Sequence, residues 1–346
     1  MNEFDFIKRI RERAEERGAS SDLIRGIGDD AAVFKSSPGG NVVVSADLMV
    51  EDIDFRHDTT SPSLLGHKAL AVSLSDLAAM GARPRWAMLS LGLQETIWNS
   101  DFCDNFYDGF FHLADRYDVK LIGGDVSRTP DKTVIDSIVF GEAVNGGAVL
   151  RSGAQPGDQI FVTGFLGDAA AGLRLIERGA RAHPTRDSTK NPAAEHTTNG
   201  HLIDRLLQRQ LQPEPRVGWG ILLGEQQLAT AMIDLSDGLS SDLNHLCAES
   251  GVGAIIEASA IPIDPVVVEI CGHRALDPLM LALHGGEDFE LLFTVNPQYA
   301  ARLPARVDGV GITRVGEIRA KSDGVMISEG PRNWSLEPGG WEHFKG

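Results

Sequence analysis

The sequence predicts an α/β protein, in the wider sense an α+β protein, built from two domains. A chain of 346 residues exceeds the size at which one hydrophobic core usually stops growing. Strand-like and helix-like patterns alternate in both halves of the chain, which is typical of α/β architecture. Residues 151–158 form a turn cluster, after which the pattern restarts. We therefore predict an N-terminal domain at 1–150 and a C-terminal domain at 151–346.

The residue pattern of the N-terminal half predicts several strands and a long helix. Residues 42–46 (Val-Val-Val-Ser-Ala) have the composition of a buried strand that leads into Asp47. Residues 62–80 predict a helix, because apolar residues recur on adjoining turns and Gly81 follows as a stop. The remaining predicted elements of this half are a strand, a helix and two strands, at 86–91, 100–117, 119–122 and 133–144.

The C-terminal half repeats the alternation. Its predicted strands lie at 159–163, 230–234, 253–257 and 289–295. Its predicted helices lie at 167–178, 201–211, 217–227 and from about 239 onward. Residues 180–200 are rich in Arg, His, Pro, Thr and Asn, and they predict a mobile surface insertion.

Charge and composition exclude several classes of partner. The formal net charge is −17 and the pI is near 5.0, so nucleic acids and anionic membranes would be repelled. The three cysteines lack CxxC spacing, which favours a reduced cytoplasmic location over disulfides or structural zinc. Residues 4–10 resemble an amphipathic helix start and not a signal peptide. No apolar run approaches the roughly 20 residues that cross a bilayer.

Four short acid-rich segments dominate the functional signal. Each lies beside an apolar, strand-like run, so we expect each at a transition from strand to loop: GDD at 28–30, SAD at 45–47, GGD at 123–125 and DLSDG at 234–238. Asp76 adds a carboxylate within the predicted helix. Converging carboxylates repel one another unless protons or cations lie between them. Because no matching set of Lys or Cys is present, the pattern indicates hard divalent cations, above all Mg²⁺, and the phosphates they bind.

Each of these features also has a purely structural interpretation. A lone Asp-Asp pair is usually an exposed turn, and a single Asp often caps a helix. Residues 164–168, at a predicted helix start, fit either a phosphate site or a tight turn. Trp341 fits either a hydrophobic anchor for the C-terminus or a stacking lid over a cationic ligand. The joint set of acids is harder to dismiss, since burying several of them without cations would cost several kcal/mol.

Six segments together resemble thiamine-monophosphate kinases. The motifs occur in order from near residue 3 to the C-terminus: GIGDDAA at 26–32, KALAVSLSDLAAMGA at 68–82, LIGGD at 121–125, IDLSDGL at 233–239, GGEDFEL at 285–291 and GWEHF at 340–344. The resemblance implies a two-domain aminoimidazole ribonucleotide synthetase-like fold. It also implies a homodimer formed by the N-terminal sheet, with ATP bound between the domains.

The resemblance further implies Mg²⁺-dependent phosphorylation of thiamine monophosphate by ATP, the last step in forming thiamine diphosphate. The positions that match the family's metal ligands are Asp30, Ser45, Ala46, Asp47, Asp76, Asp125, Asp234 and Asp237. The positions that match its ATP contacts are Gly124, Asp125, Arg151 and Ser236. The positions that match its contacts to the thiamine substrate are Asp54, Glu287 and Trp341.

Two positions depart from the family pattern. Ala46 stands where the family usually has Thr, so a metal contact there would use the backbone carbonyl. Asp54 stands where a substrate-contacting His is usual, and a carboxylate repels a phosphate unless it is protonated or metal-bound. His57, three residues further on, is a candidate to replace that His.

The implied reaction needs no general base, because the acceptor phosphate oxygen is already ionised near neutral pH. We therefore expect that no side chain acts as a general base and that the phosphoryl group is transferred directly and in line. Two alternatives remain open: a related ligase that uses ATP to activate an amide oxygen, and a non-catalytic homologue that binds Mg-nucleotide.

Overall fold

The computed structural model describes residues 8, 11, 12, 22–36, 40–181, 198–272 and 276–342. The predicted helix start at 4–10 and the predicted insertion at 180–200 lie largely outside these residues, as do His343 and Phe344 of the C-terminal motif.

The N-terminal half forms a six-stranded sheet. Its strands are β1 Leu23–Arg25, β2 Ala32–Ser36, β3 Gly40–Val50, β4 Ala82–Leu93, β5 Lys120–Arg128 and β6 Val134–Ala143. Their order is β1-β2-β3-β6-β4-β5, and only the β4–β5 pair among them is parallel. The helices of this half are α1 Pro62–Ala79, α2 Glu95–Trp98 and α3 Phe102–Arg116, and a 3₁₀ turn follows at Val144–Gly146.

The C-terminal half forms an eight-stranded sheet. Its strands are β7 Gln159–Thr163, β8 Ala229–Asp234, β9 Gly253–Glu257, β10 Leu291–Val295, β11 Arg306–Val307, β12 Val310–Arg319, β13 Val325–Glu329 and β14 Arg332–Ser335. The order is β14-β13-β9-β12-β7-β10-β8, with β11 paired to β12. The helices are α4 Asp168–Glu177, α5 Thr198–Leu211, α6 Val217–Glu225, α7 Leu239–Ser250, α8 Pro265–Gly272 and α9 Pro278–His284. Short 3₁₀ turns lie at Ala258–Ala260, Ala300–Arg302 and Lys321–Asp323.

Helix α1 is buried between the two halves. Ser61 caps its first turn through a hydrogen bond from the backbone N–H of Leu64, and Pro62 occupies its first position. The helix has apolar residues on all sides, as expected of a helix enclosed by protein. It packs on α3 and the N-terminal sheet on one side and on α6 and β8 on the other. A single core cluster therefore joins residues of both halves, including Leu74, Trp219 and Phe293.

Two predicted strand ends are wrong in the same way. β3 continues three residues past Asp47, and β5 runs through Gly123, Gly124 and Asp125. At Gly124 the backbone of β5 lies so close to β4 that a Cβ atom would clash with the carbonyl oxygen of Leu89. Glycine therefore permits pairing here and does not mark a turn. The helix predicted at 100–117 is confirmed by α3, with the short α2 before it.

Within the described part of the chain, no helix is long and apolar enough to cross a membrane. All three cysteines are described, and none of them forms a disulfide.

Candidate active site

Three aspartates from distant parts of the chain converge at the junction of the two halves. Asp30 follows the β1 strand in a tight loop, Asp76 lies on α1, and Asp234 ends β8. One carboxylate oxygen from each lies within 4.8 Å of the others, a spacing that a shared cation could bridge. The sequence pattern predicted this convergence from residue type. The central position of α1 brings Asp76 next to the other two carboxylates.

Hydroxyl groups and a fourth acid surround this cluster. The Ser75 hydroxyl donates a hydrogen bond of 2.7 Å to Asp234, and the Ser45 hydroxyl donates to Asp76. Burial and the nearby charge of Asp47 raise the pKa of Asp76 well above its usual range. Burial also raises the pKa of Asp47, whose Oδ2 atom is enclosed and has no hydrogen-bond partner among the described residues. A buried acceptor of this kind can bind a water or a cation, and the neighbouring carboxylates favour a cation.

Arg151 is the cation that faces the cluster. Its guanidinium forms a two-pronged ion pair with Asp30, at 3.0 Å from Nε to Oδ2 and 2.8 Å from Nη2 to Oδ1. Its backbone N–H also donates to Asp29 at 3.2 Å. Burial, followed by the charge of Asp30, raises the pKa of Asp29 to about 6. A predicted ATP contact and a predicted metal ligand are thus direct neighbours, as is expected where a cation and a phosphate are bound together.

The loop that carries Ser236 and Asp237 is held by an acid that the sequence analysis missed. Asp242, in the first turn of α7, accepts the backbone N–H of Gly238 at 3.0 Å and that of Asp237 at 3.3 Å. Burial and the charge of Asp237 raise the pKa of Asp242 well above its usual range. An acid in the first turn of a helix was the available signal, but such residues usually only complement the helix dipole.

The C-terminal tail lies against the same loop. The backbone N–H of Trp341 donates to the Asp237 carbonyl at 3.2 Å, and the backbone N–H of Gly340 donates to the Ser241 hydroxyl at 3.1 Å. A Cβ atom at Gly340 would clash with the Asp237 carbonyl, so this close approach requires glycine. The Trp341 residue remains 56% exposed. Backbone contacts therefore hold the tail here, and the indole is not buried as a hydrophobic anchor would be.

Glu287 lies beside the same loop on the C-terminal side. Its backbone N–H donates to the carbonyl oxygen of Ser236 at 2.8 Å. Its carboxylate forms an ion pair with Lys68 of α1, with 2.5 Å between Nζ and Oε1. The structure thus brings Ser236, Asp237, Glu287 and Trp341 together at the loop that follows Asp234.

This arrangement occurs in a chain with clear relatives. The family models for AIR synthase related proteins match residues 28–143 with the N-terminal domain and 155–328 with the C-terminal domain. A thiamine-monophosphate kinase of Bacillus subtilis (strain 168) is 37% identical over 353 aligned positions, which span 100% of both chains. The chain belongs to the thiamine-monophosphate kinase family. The predicted two-domain aminoimidazole ribonucleotide synthetase-like fold is thereby confirmed.

Solved structures of this kinase family agree with the fold. The structure described as AaThiL complexed with AMPPCP and TMP has a TM-score of 0.82 and 29% identity, covering 99% of this chain and 97% of that one. Thiamine-monophosphate kinase from Stenotrophomonas maltophilia K279a has a TM-score of 0.74 and 39% identity, covering 94% and 96% of the two chains.

Two predicted site residues of this family member, Gly124 and Asp125, lie away from the cluster. Along the sheet, Asp47 pairs with Ser137 of β6, Ser137 with Leu89 of β4, and Leu89 with Gly124. Three strand spacings of about 4.8 Å separate Asp47 from Gly124 by about 14 Å. Asp125 is exposed on the edge strand β5. Within this chain, Asp125 therefore lies apart from the other predicted ligands.

The residues that depart from the family pattern are engaged near their own loop. Asp54 accepts the backbone N–H of Val50 at 2.7 Å. His57 lies with Nε2 at 3.0 Å from the Thr133 hydroxyl, which itself donates to the side-chain oxygen of Gln94. Because the hydroxyl has one proton, Nε2 of His57 must be the donor. Ala46 is exposed on β3, on the opposite sheet face from Ser45.

The start of α4, one candidate phosphate site, already binds a carboxylate of the protein itself. Asp288 accepts the backbone N–H of Gly167 at 2.7 Å and that of Ala169 at 3.1 Å. This contact supports the tight-turn interpretation of residues 164–168 and argues against a phosphate there. Nearby, Glu290 is fully buried between Arg216, Arg209 and Thr163, so a second charged cluster supports the turn.

Asp288 gives an expected pH dependence of stability. Burial raises its pKa from 3.8 to about 7. Between these values the folded protein retains a proton that the unfolded chain has released, so the free energy of unfolding should fall as pH rises. One such proton contributes at most about 1.4 kcal/mol per pH unit. Asp288→Asn, which keeps an oxygen acceptor but cannot titrate, should reduce the difference in Tm between about pH 5 and about pH 8. An unchanged difference in Tm would contradict this assignment.

Proposed function

We propose that this chain transfers the γ-phosphoryl group of ATP to thiamine monophosphate, giving thiamine diphosphate and ADP. The observation that carries the proposal is the convergence of Asp30, Asp76 and Asp234 beside Arg151, in a chain that belongs to this kinase family. A related structure was determined with AMPPCP, a non-hydrolysable analogue of ATP, together with TMP. TMP corresponds to the acceptor of the proposed reaction, and AMPPCP corresponds to its donor, ATP.

The described residues fit a magnesium site. Oxygen ligands converge within 4.8 Å, Asp47 presents a buried unpaired oxygen, and burial raises the pKa of Asp76 and Asp234. The residues that would hold Mg²⁺ are Asp30, Ser45, Asp47, Asp76 and Asp234, with Asp237 and the Ala46 carbonyl as further candidates. When bound, Mg²⁺ neutralises charge between the two polyanionic substrates.

The side chains would then act by positioning. Arg151 would donate to the ATP phosphates while it contacts Asp30. The 234–238 loop, fixed by Asp242 and by the tail at Gly340, would hold Ser236 against the nucleotide. Glu287 and Trp341, which lie beside this loop, would hold the thiamine part of the acceptor. An ionised acceptor phosphate needs no general base, so we infer direct in-line transfer.

We also propose a homodimer formed through the outer face of the N-terminal sheet. This face presents large apolar side chains to solvent: Phe34, Leu48 and Trp86 are 36%, 61% and 39% exposed. Exposed apolar surface of this kind marks protein–protein interfaces. Asp125 pairs with Ser90, Ser90 pairs with Asp136, and Asp136 pairs with Leu48. Asp125 and Leu48 therefore lie on the same face of the sheet. A second subunit on this face would bring its own Gly124 and Asp125 against the side of β3 that exposes Ala46, whose carbonyl is a candidate ligand.

We also propose a domain division at 150/151 and a reduced cytoplasmic location. The family matches leave residues 144–154 between them. The absence of disulfides among the three cysteines supports a reducing compartment.

Incubation with thiamine monophosphate and MgATP, followed by mass spectrometry, tests the function. Formation of thiamine diphosphate with equimolar ADP supports the kinase. ATP consumption without the diphosphate would favour the amide-activating alternative. Calorimetric binding of ATP without product would favour the non-catalytic homologue.

Magnesium should stabilise the protein measurably. A ligand at about 100 times its Kd adds about 2.7 kcal/mol to the free energy of unfolding, which corresponds to several degrees in Tm. We expect Mg²⁺ with AMPPCP to raise Tm by about 5 °C, and Asp76→Asn to remove most of this rise. Equal rises in both proteins would show that the ion binds elsewhere.

A further inference from the structure

Lys68 is a buried lysine that has no assigned role in the proposed reaction. It lies on α1, is 3% exposed, and has its Nζ atom 2.5 Å from Oε1 of Glu287. Burying an ammonium group is costly unless a partner compensates for it. Glu287, in contrast, keeps 32% of its side chain exposed. The pair therefore joins a buried cation to a carboxylate that remains partly exposed.

Both oxygens of the Glu287 carboxylate are held. Lys68 contacts Oε1, and the side-chain amide of Gln210 donates to Oε2. Since a carboxylate only accepts, Gln210 must turn its NH₂ group toward Glu287. The Gln210 Oε1 atom is then buried without a hydrogen-bond partner among the described residues. The backbone of Glu287 has a left-handed φ of +65°, so its side chain is aimed by a conformation that non-glycine residues rarely adopt.

Helix α1 links this carboxylate to the aspartate cluster. Lys68 and Ser75 are seven residues apart and therefore lie on the same face of the helix. Ser75 donates to Asp234 at 2.7 Å, while Lys68 contacts Glu287. Seven residues correspond to a rise of about 10 Å. A single rigid helix thus sets the distance between Glu287 and the cluster where phosphoryl transfer would occur.

We propose that Lys68, supported by Gln210, is a positioning residue for the acceptor: it fixes the Glu287 carboxylate so that it binds the cationic heterocycle of thiamine monophosphate. The inference rests on the proposed kinase function. Lys68 acts through Glu287 and does not contact the transferred phosphoryl group. Its loss should therefore weaken acceptor binding much more than nucleotide binding.

The test is the kinetics of Lys68→Met. We expect KM for thiamine monophosphate to rise about tenfold or more, with KM for MgATP and kcat changed less than about threefold. A double-mutant cycle with Glu287→Gln separates positioning from general stabilisation. If Lys68 acts through Glu287, the double variant should match Glu287→Gln alone within about twofold in kcat/KM for the acceptor.

Arg116→Gln is the matched control. Arg116 forms a two-pronged ion pair with Glu214, at 2.8 and 2.7 Å, so this variant also removes a contact between the two halves but none at the site. Its KM values should equal those of the wild type. If Lys68→Met does not fold, Gln210→Leu tests the other carboxylate oxygen with the same expected selectivity for the acceptor.

Multiplicative effects in the double variant would overturn the proposal, as would equal increases in both KM values. Unchanged kinetics for Lys68→Met would also overturn it. Failure of the wild-type protein to form thiamine diphosphate is a different outcome, since it would reject the proposed function itself.

Discussion

Asp47→Asn should lower kcat by at least about 100-fold, equivalent to about 2.7 kcal/mol of transition-state stabilisation. Among the described residues, the buried Oδ2 atom of Asp47 has no hydrogen-bond partner. It lies near Asp76, where an amide nitrogen would put a donor in place of a metal-binding oxygen. Steady-state kinetics with saturating thiamine monophosphate and MgATP measures the loss. Turnover within about threefold of the wild type, about 0.7 kcal/mol, would remove Asp47 from the proposed ligands.

Stability distinguishes this effect from misfolding. Burial raises the pKa of Asp47, so the ionised carboxylate costs free energy in the metal-free fold. Asp47→Asn should therefore leave the Tm of the metal-free protein unchanged or higher. Asp52→Asn is the control: this exposed acid in the following turn pairs with Lys132 and should affect turnover less than about twofold. A large drop in Tm for Asp47→Asn would point to a structural role.

The elements that sequence periodicity predicted well are those whose limits are set locally. Helix α1 was predicted to within one residue at its C-terminal end, because Pro62 and Gly81 mark its ends and apolar residues fill the space between them. The convergence of Asp30, Asp76 and Asp234 was predicted from chemistry, since buried acids need a shared cation. These inferences required residue types and spacing alone.

The features that sequence reasoning could not supply depend on pairing between distant strands or helices. The position of Asp125 follows from the parallel register of β5 on β4, which no local pattern specifies. The contact between Lys68 and Glu287 joins α1 to the C-terminal half. Asp242 looked like an ordinary helix-start acid until its contacts with Asp237 and Gly238 were known. Long-range packing decided each of these cases.

A mixture of two inactive variants should regain activity if the second subunit supplies Asp125. Asp125→Asn and Asp76→Asn are each expected to be inactive as homodimers. In a heterodimer, the cluster with intact Asp76 would receive Asp125 from its partner, while the other site would contain both defects. Purified heterodimers, selected by two affinity tags, should therefore show about half the wild-type kcat, because one of the two sites of the dimer is intact.

The same experiment tests the alternative that Asp125 serves its own subunit. In that case every site of the heterodimer contains one defect, and no activity returns. A mixture of Asp76→Asn with Asp234→Asn is the control, because both residues lie in one cluster within one chain and complementation is impossible. Within one chain about 14 Å across three strands separates Asp47 from Gly124, which is why we expect Asp125 to come from the partner. Absence of recovery in a verified heterodimer would therefore overturn the proposal that the partner supplies Asp125.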